Sequence, residues 1–138
     1  SVVDASRLAS LCEAYPSQAK AILQNSRIKV SGTIHRLAVL GVNSADLEVD
    51  LQGTPNRDIV FATDYERYNS EFTGTGGYGY KIVKTNNRLL LYHLGDSYNC
   101  TAFERILYTI GDKVTLEGLI DYIDNNGAFK IHWAKGIE

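Results

Sequence analysis

Strict alternation of apolar and polar side chains constrains this chain more than any other feature. In Asp46-Leu47-Glu48-Val49-Asp50-Leu51 every second residue is aliphatic and every residue between is acidic. A two-residue period fits a β-strand with one buried face, because successive side chains leave a strand on opposite sides. Leu47, Val49 and Leu51 are therefore expected inward, and Asp46, Glu48 and Asp50 outward. The same period recurs at Ile28, Val30, Gly32 and Ile34, at Val114, Leu116, Gly118 and Ile120, and at Phe129, Ile131 and Trp133. A strand from Asp58 to Ala62 follows the turn residues Gly53-Thr54-Pro55-Asn56. Gly32 and Gly118 fall on inward faces, where a missing side chain lets a strand coil sharply.

A different period precedes the first strand. Leu8, Leu11, Cys12, Tyr15, Ala19, Ile22 and Leu23 follow the three-four spacing of one helix face. Asp4 suits the N-cap, and Pro16 implies a kink or a second helix that begins with it. Residues 64–100 are less regular. Tyr65-Glu66-Arg67-Tyr68 fits a helical turn, and Thr73-Gly74-Thr75-Gly76-Gly77-Tyr78-Gly79 a glycine-rich loop. Tyr80–Lys84 and Arg88–Leu94 fit two strands around Asn86-Asn87, a hairpin. Thr101–Tyr108 fits a short helix with Phe103, Ile106 and Leu107 inward. Asn125-Asn126-Gly127 marks the last turn.

A chain of 138 residues is the size of one domain. Its segments divide into an N-terminal helical part (1–26), three strands (27–63), an insertion (64–100), and a short helix with two strands (101–138). The expected fold is mainly β with an N-terminal helix: a five-stranded OB-fold Greek-key barrel with an inserted β-hairpin region. The runs Leu11-Cys12-Glu13-Ala14-Tyr15, Ile28-Lys29-Val30-Ser31-Gly32-Thr33-Ile34 and Ile110-Gly111-Asp112-Lys113-Val114-Thr115-Leu116-Glu117-Gly118 resemble the tRNA-anti-like OB-fold family. The resemblance covers about residues 8–51 and 101–138. It implies a small bacterial protein, often exported or lipid-anchored, of a kind called nucleic-acid binding from its fold. The chain departs from it at Gln18, where the family has Asn, and in the length of Tyr65–Cys100. The shared motifs are structural and name no functional residue.

Charge argues against that implied ligand on the usual face. From Gly41 to Tyr80 there are seven acidic residues and two basic ones, and the net charge of the chain is −2. Single strands are bound by basic grooves with aromatic platforms. The basic residues lie elsewhere, at Lys20, Arg27, Lys29 and Arg36 near the first strand and at Lys81, Lys84 and Arg88 on the hairpin; with Tyr78, Tyr80 and Tyr92 nearby, the hairpin is the best remaining nucleic-acid surface. Five of the nine tyrosines, Tyr65, Tyr68, Tyr78, Tyr80 and Tyr92, fall between residues 65 and 92. Tyrosine is enriched at interfaces. These five tyrosines and the hairpin's Lys81, Lys84 and Arg88 form the candidate partner-binding set.

Catalytic and metal signatures are missing. Gly74, Gly76 and Gly79 match G-x-G-x-x-G, but a strand follows where a phosphate-binding loop requires a helix. His35, His93 and His132 stand at no ligand spacing, although His35 and His132 are expected on neighbouring strands. No nucleophile elbow occurs. The sequence therefore predicts a non-enzymatic binding module without cofactor or metal. Its partner is a protein or a second copy, with single-stranded nucleic acid as the alternative and oligosaccharide as a third ligand class. Its longest apolar run, Leu89-Leu90-Leu91-Tyr92, ends at His93, so no membrane span is expected. Cys12 and Cys100 either form a disulfide or sit as two buried thiols. The chain starts at Ser1 and lacks Met, which points to a removed leader or a cloning boundary. Export is the expectation, whether periplasmic, extracellular or lipid-anchored in the full-length form, with a cytoplasmic location left open.

Overall fold

Helix α1 (Ala5–Ala14) starts where Asp4 supplies the missing N-terminal acceptor: its carboxylate takes the Arg7 N–H at 3.1 Å. A second helix, α2 (Pro16–Leu23), begins with Pro16 at its first turn, where no intrahelical N–H is needed. The two helices meet at Tyr15 rather than forming one kinked helix. Ala5, Leu8, Ala9 and Cys12 are buried, while Leu11, Tyr15 and Ile22, expected on the inner face, are exposed. The apolar stripe is thus narrower than the sequence period suggests. The computed structural model describes residues 1–40, 46–63, 80–94 and 101–133.

Alternation gives strands wherever the described residues carry it. They are β1 (Val2–Asp4), β2 (Ser26–Leu40), β3 (Asp46–Thr54), β4 (Arg57–Thr63), β5 (Tyr80–Lys84), β6 (Arg88–Leu94), β7 (Thr101–Thr109), β8 (Lys113–Ile120) and β9 (Lys130–Trp133). One sheet has six strands in the order β1-β2-β3-β4-β9-β8, and a second has three in the order β5-β6-β7. β2 is long enough to serve several neighbours. Ser26–Thr33 pair antiparallel with β8, Ile34–Leu40 antiparallel with β3, and Lys29–Ser31 parallel with β1. β4 and β9 also pair in parallel.

The expected five-stranded OB-fold Greek-key barrel is corrected by this arrangement. The described residues form a mixed sheet of six strands and a separate sheet of three. Two physical causes account for the difference. Val2–Asp4 add a parallel strand to the stretch of β2 that β3 leaves uncovered. Thr101–Thr109, expected as a short helix, are instead the third strand of the smaller sheet, bonded to β6 through two register shifts. The hairpin around Asn86-Asn87 is present as β5–β6.

Leu47, Val49 and Leu51 point inward as the alternation requires, together with Ile34, Phe61, Ile120, Ile131 and Trp133. The buried face of the small sheet, Ile82, Leu89, Leu91 and Tyr108, joins the same apolar cluster. Close backbone approach explains the inward glycines. A Cβ on Gly32 would stand 2.8 Å from the Ala5 Cβ, and one on Gly118 would run into the His132 carbonyl oxygen. Cys12 is a buried free thiol, so the disulfide alternative is not realised at that residue; Cys100 lies outside the described residues.

Candidate functional site

The smaller sheet carries apolar residues on both faces. Its register places Ile82 opposite Leu91 and Leu89 opposite Tyr108 on the buried side. On the other side Val83 stands opposite Leu90, Leu90 opposite Ile106, and Tyr92 opposite Phe103. Phe103 is 56% exposed and Ile106 44%. The Tyr92 and Phe103 rings meet edge-to-face with centroids 5.8 Å apart. A sheet with one solvated face normally shows polar residues there. This one presents an aliphatic and aromatic face instead.

The candidate binding residues distribute unevenly over it. Tyr80 and Lys81 are on β5, opposite His93 and Tyr92 respectively. Tyr92 belongs to the exposed apolar face. Lys84 and Arg88 flank the hairpin turn and are exposed. Tyr65, Tyr68 and Tyr78, with the glycine-rich loop, lie outside the described residues. Phe103 and Ile106 were expected inward on a helix, and they are the most exposed members of the face. The sequence signal that could have found them is the composition of Thr101–Thr109, which is rich in aromatic and β-branched residues.

The outer face of β3 differs from its expected form. Glu48 and Asp50 leave the strand on the side away from the core, yet they are only 8% and 6% exposed. Long cationic side chains lie over them. Lys130 donates to Glu48 Oε1 at 2.7 Å, and the Arg36 Nη1 donates to Asp50 Oδ2 at 3.3 Å and lies 3.7 Å from Glu48 Oε2. Both cations keep more than half of their side chains in solvent, as snorkelling side chains do. Asp50 Oδ1 is buried without a hydrogen-bond partner. Burial pushes the Asp50 carboxyl above the usual carboxylate range, against the pull of Arg36 and with a further push from Glu48 and Asp58.

Histidines pair separately. His35 Nδ1 lies 2.9 Å from Asp58 Oδ2, and His132 Nε2 3.4 Å from Asp121 Oδ2. β2, which carries His35, and β9, which carries His132, are not paired: β8 lies between them on one side and β3 and β4 on the other, which corrects their expected placement on neighbouring strands. Among the described residues no group of His, Cys, Asp and Glu has metal-binding geometry. Arg57 acts as a structural clamp. Its guanidinium donates to the carbonyls of Gly127 and Asn126 at 2.7 and 3.0 Å and pairs with Glu13 of α1. No described helix is long and apolar enough to cross a membrane.

No family model matches the chain, and no curated protein matches it. The functional reading therefore rests on these surfaces.

Proposed function

We propose that this protein is a non-enzymatic binding module that self-associates through the solvent face of the β5-β6-β7 sheet. The observation that carries the reading is the exposed pair Phe103 and Ile106, with half-buried Tyr92 beside them, on a sheet whose opposite face already buries Ile82, Leu89, Leu91 and Tyr108. Leaving such a face in water is unfavourable, at roughly 25 cal/mol for each Å² of apolar surface. An isologous contact covers the same patch on both copies at once. Aromatic anchors at the centre of a patch dominate interface energies. A net charge of −2 gives little repulsion between two copies.

Nucleic acid is the less favoured ligand. The chain carries 16 acidic residues against 14 basic ones, and on the outer face of β3 the cations Arg36 and Lys130 are already paired with Asp50 and Glu48.

Light scattering over a concentration series tests the proposal. The wild-type mass is expected to rise toward twice the monomer, and Phe103→Glu and Ile106→Glu, both at exposed positions, are expected to stay monomeric with unchanged circular dichroism. A wild-type monomer throughout, or a dimer indifferent to both charges, overturns it. A parallel titration with fluorescent single-stranded DNA at low and high salt should show no salt-sensitive binding. Tight salt-sensitive binding would favour the nucleic-acid reading instead.

A further inference from the structure

Among the described residues, the C-terminal half of β2 is hydrogen-bonded to a strand on one side only. Arg36–Leu40 pair with β3 on one edge. The pairing with β8 on the other edge stops at Thr33, and the last backbone bonds there join Ile34 to Gly111 and Asp112. In an antiparallel strand alternate residues send their N–H and C=O to opposite edges. Within Arg36–Val39, every second residue therefore directs its backbone groups toward the uncovered edge. Among the described residues no strand and no backbone hydrogen bond meets them.

A cavity of about 340 Å³ lies along this edge, lined by His35 to Val39, Lys84 and Ile110. Five consecutive residues of one strand thus form one wall, and the end of β5 supplies Lys84 to the lining. Leu37 and Ala38 are buried, so the wall is part of the folded framework. The lining contains three basic residues and no carboxylate. Arg36 turns its guanidinium to Asp50 and Glu48, and the His35 ring sits against Asp58. Lys84 has no ion pair or hydrogen bond with any described residue. What the cavity offers is a strip of strand edge with, in its lining, an ammonium group that no described carboxylate pairs with.

We propose that the Arg36–Val39 edge of β2 is a docking site for an extended acidic segment of a partner protein, which pairs with β2 as an added strand and places a carboxylate on Lys84. Strand addition of this kind takes its affinity from main-chain hydrogen bonds and its selectivity from side chains at alternate positions. The charge of Lys84 selects an acidic segment over a basic one. The site is separate from the outer face of the small sheet, so it stands whether or not the protein self-associates.

The test uses two synthetic octapeptides, one alternating valine and glutamate and the other alternating valine and lysine. In amide nuclear magnetic resonance spectra of the intact protein, the acidic peptide is expected to shift the signals of Leu37, Ala38 and Val39. Some amides within Arg36–Val39 should exchange quickly with solvent before it is added and slowly afterwards. Lys84→Glu, at an exposed position, should weaken the acidic peptide by about fivefold and favour the basic one, which fits a solvent-exposed ion pair. Slow exchange of all amides in Arg36–Val39 in the free protein would show that the edge is already covered, and would overturn the proposal. So would an absence of shifts at this segment with millimolar peptide, or equal binding of both peptides.

Discussion

Replacing Asp50 by asparagine should stabilise the protein. The carboxylate is 6% exposed, and among the described residues Oδ1 has no partner and Oδ2 is held only by a half-exposed Arg36. An ionised group with one orphaned buried acceptor carries a penalty of about 1–3 kcal/mol. The Arg36 contact offsets about 0.5–1 kcal/mol of it, since a partner so exposed to water is screened. Asparagine keeps the shape and an acceptor for Arg36; its NH2 takes the unpartnered Oδ1 position, so the gain comes from removing the buried charge and its repulsion from Glu48 and Asp58. The net gain is about 1 kcal/mol, which for a chain of this size raises Tm by about 3–5 °C.

The gain should depend on pH with a definite sign. The folded-state pKa of Asp50 lies above its ordinary value. Between those two values the folded state binds more protons than the unfolded state, so wild-type stability falls as pH rises through that window. Below the ordinary carboxylate range both states are protonated, and the advantage of the variant disappears. Thermal unfolding of both proteins at about pH 3 and about pH 7 measures the gap. A lower Tm for Asp50→Asn at neutral pH, or a gap of the same size in acid, would refute the reasoning.

Three further outcomes follow from the packing. Gly118→Ala drives a methyl into the His132 carbonyl and should cost about 3 kcal/mol or prevent folding, read by denaturant titration. Leu91→Ala should cost about 2–5 kcal/mol. Because Leu91 belongs to the same apolar cluster as Trp133, Trp133 fluorescence and far-ultraviolet circular dichroism should shift together to one lower midpoint; two separated midpoints would show that the sheets unfold independently. In a Cys100→Ser variant, Cys12 should react with a thiol reagent only on unfolding, since it is fully buried and burial raises its thiol pKa; rapid labelling of the folded protein would contradict the packing of α1.

Legibility in the sequence tracked the regularity of the strands. Leu47, Val49 and Leu51 alternate without interruption, and each points inward as read. Asp4 and Pro16 marked the starts of the two helices because each has one position where its backbone chemistry fits. Residues Thr101–Thr109 were unreadable for a geometric reason. Register shifts between Leu89 and Leu90 and between Leu91 and Tyr92 insert extra β7 residues. One face of the strand then carries Ala102, Arg105 and Tyr108, and the other Phe103, Ile106 and Thr109. A repeat of three residues on each face imitates a helix, so bulges disguised the strand as the wrong element. That error also hid Phe103 and Ile106, the centre of the candidate surface. The burial of Glu48 and Asp50 was hidden differently, because two cations distant in sequence, Arg36 and Lys130, fold over them.

The divided loyalty of β2 also bears on how the chain is made. Its C-terminal half finds β3 within a short stretch of newly synthesised chain, but its N-terminal half waits for β8, which emerges only after the whole smaller sheet. Contacts so distant in sequence form late and slow the acquisition of the native state. During that interval the Ser26–Thr33 edge is an unpaired template on a nascent polypeptide, the kind of surface that invites chaperones or aggregation. Val2–Asp4, already synthesised by then and paired in the finished protein with Lys29–Ser31, lie close at hand to shield the opposite side of the same strand.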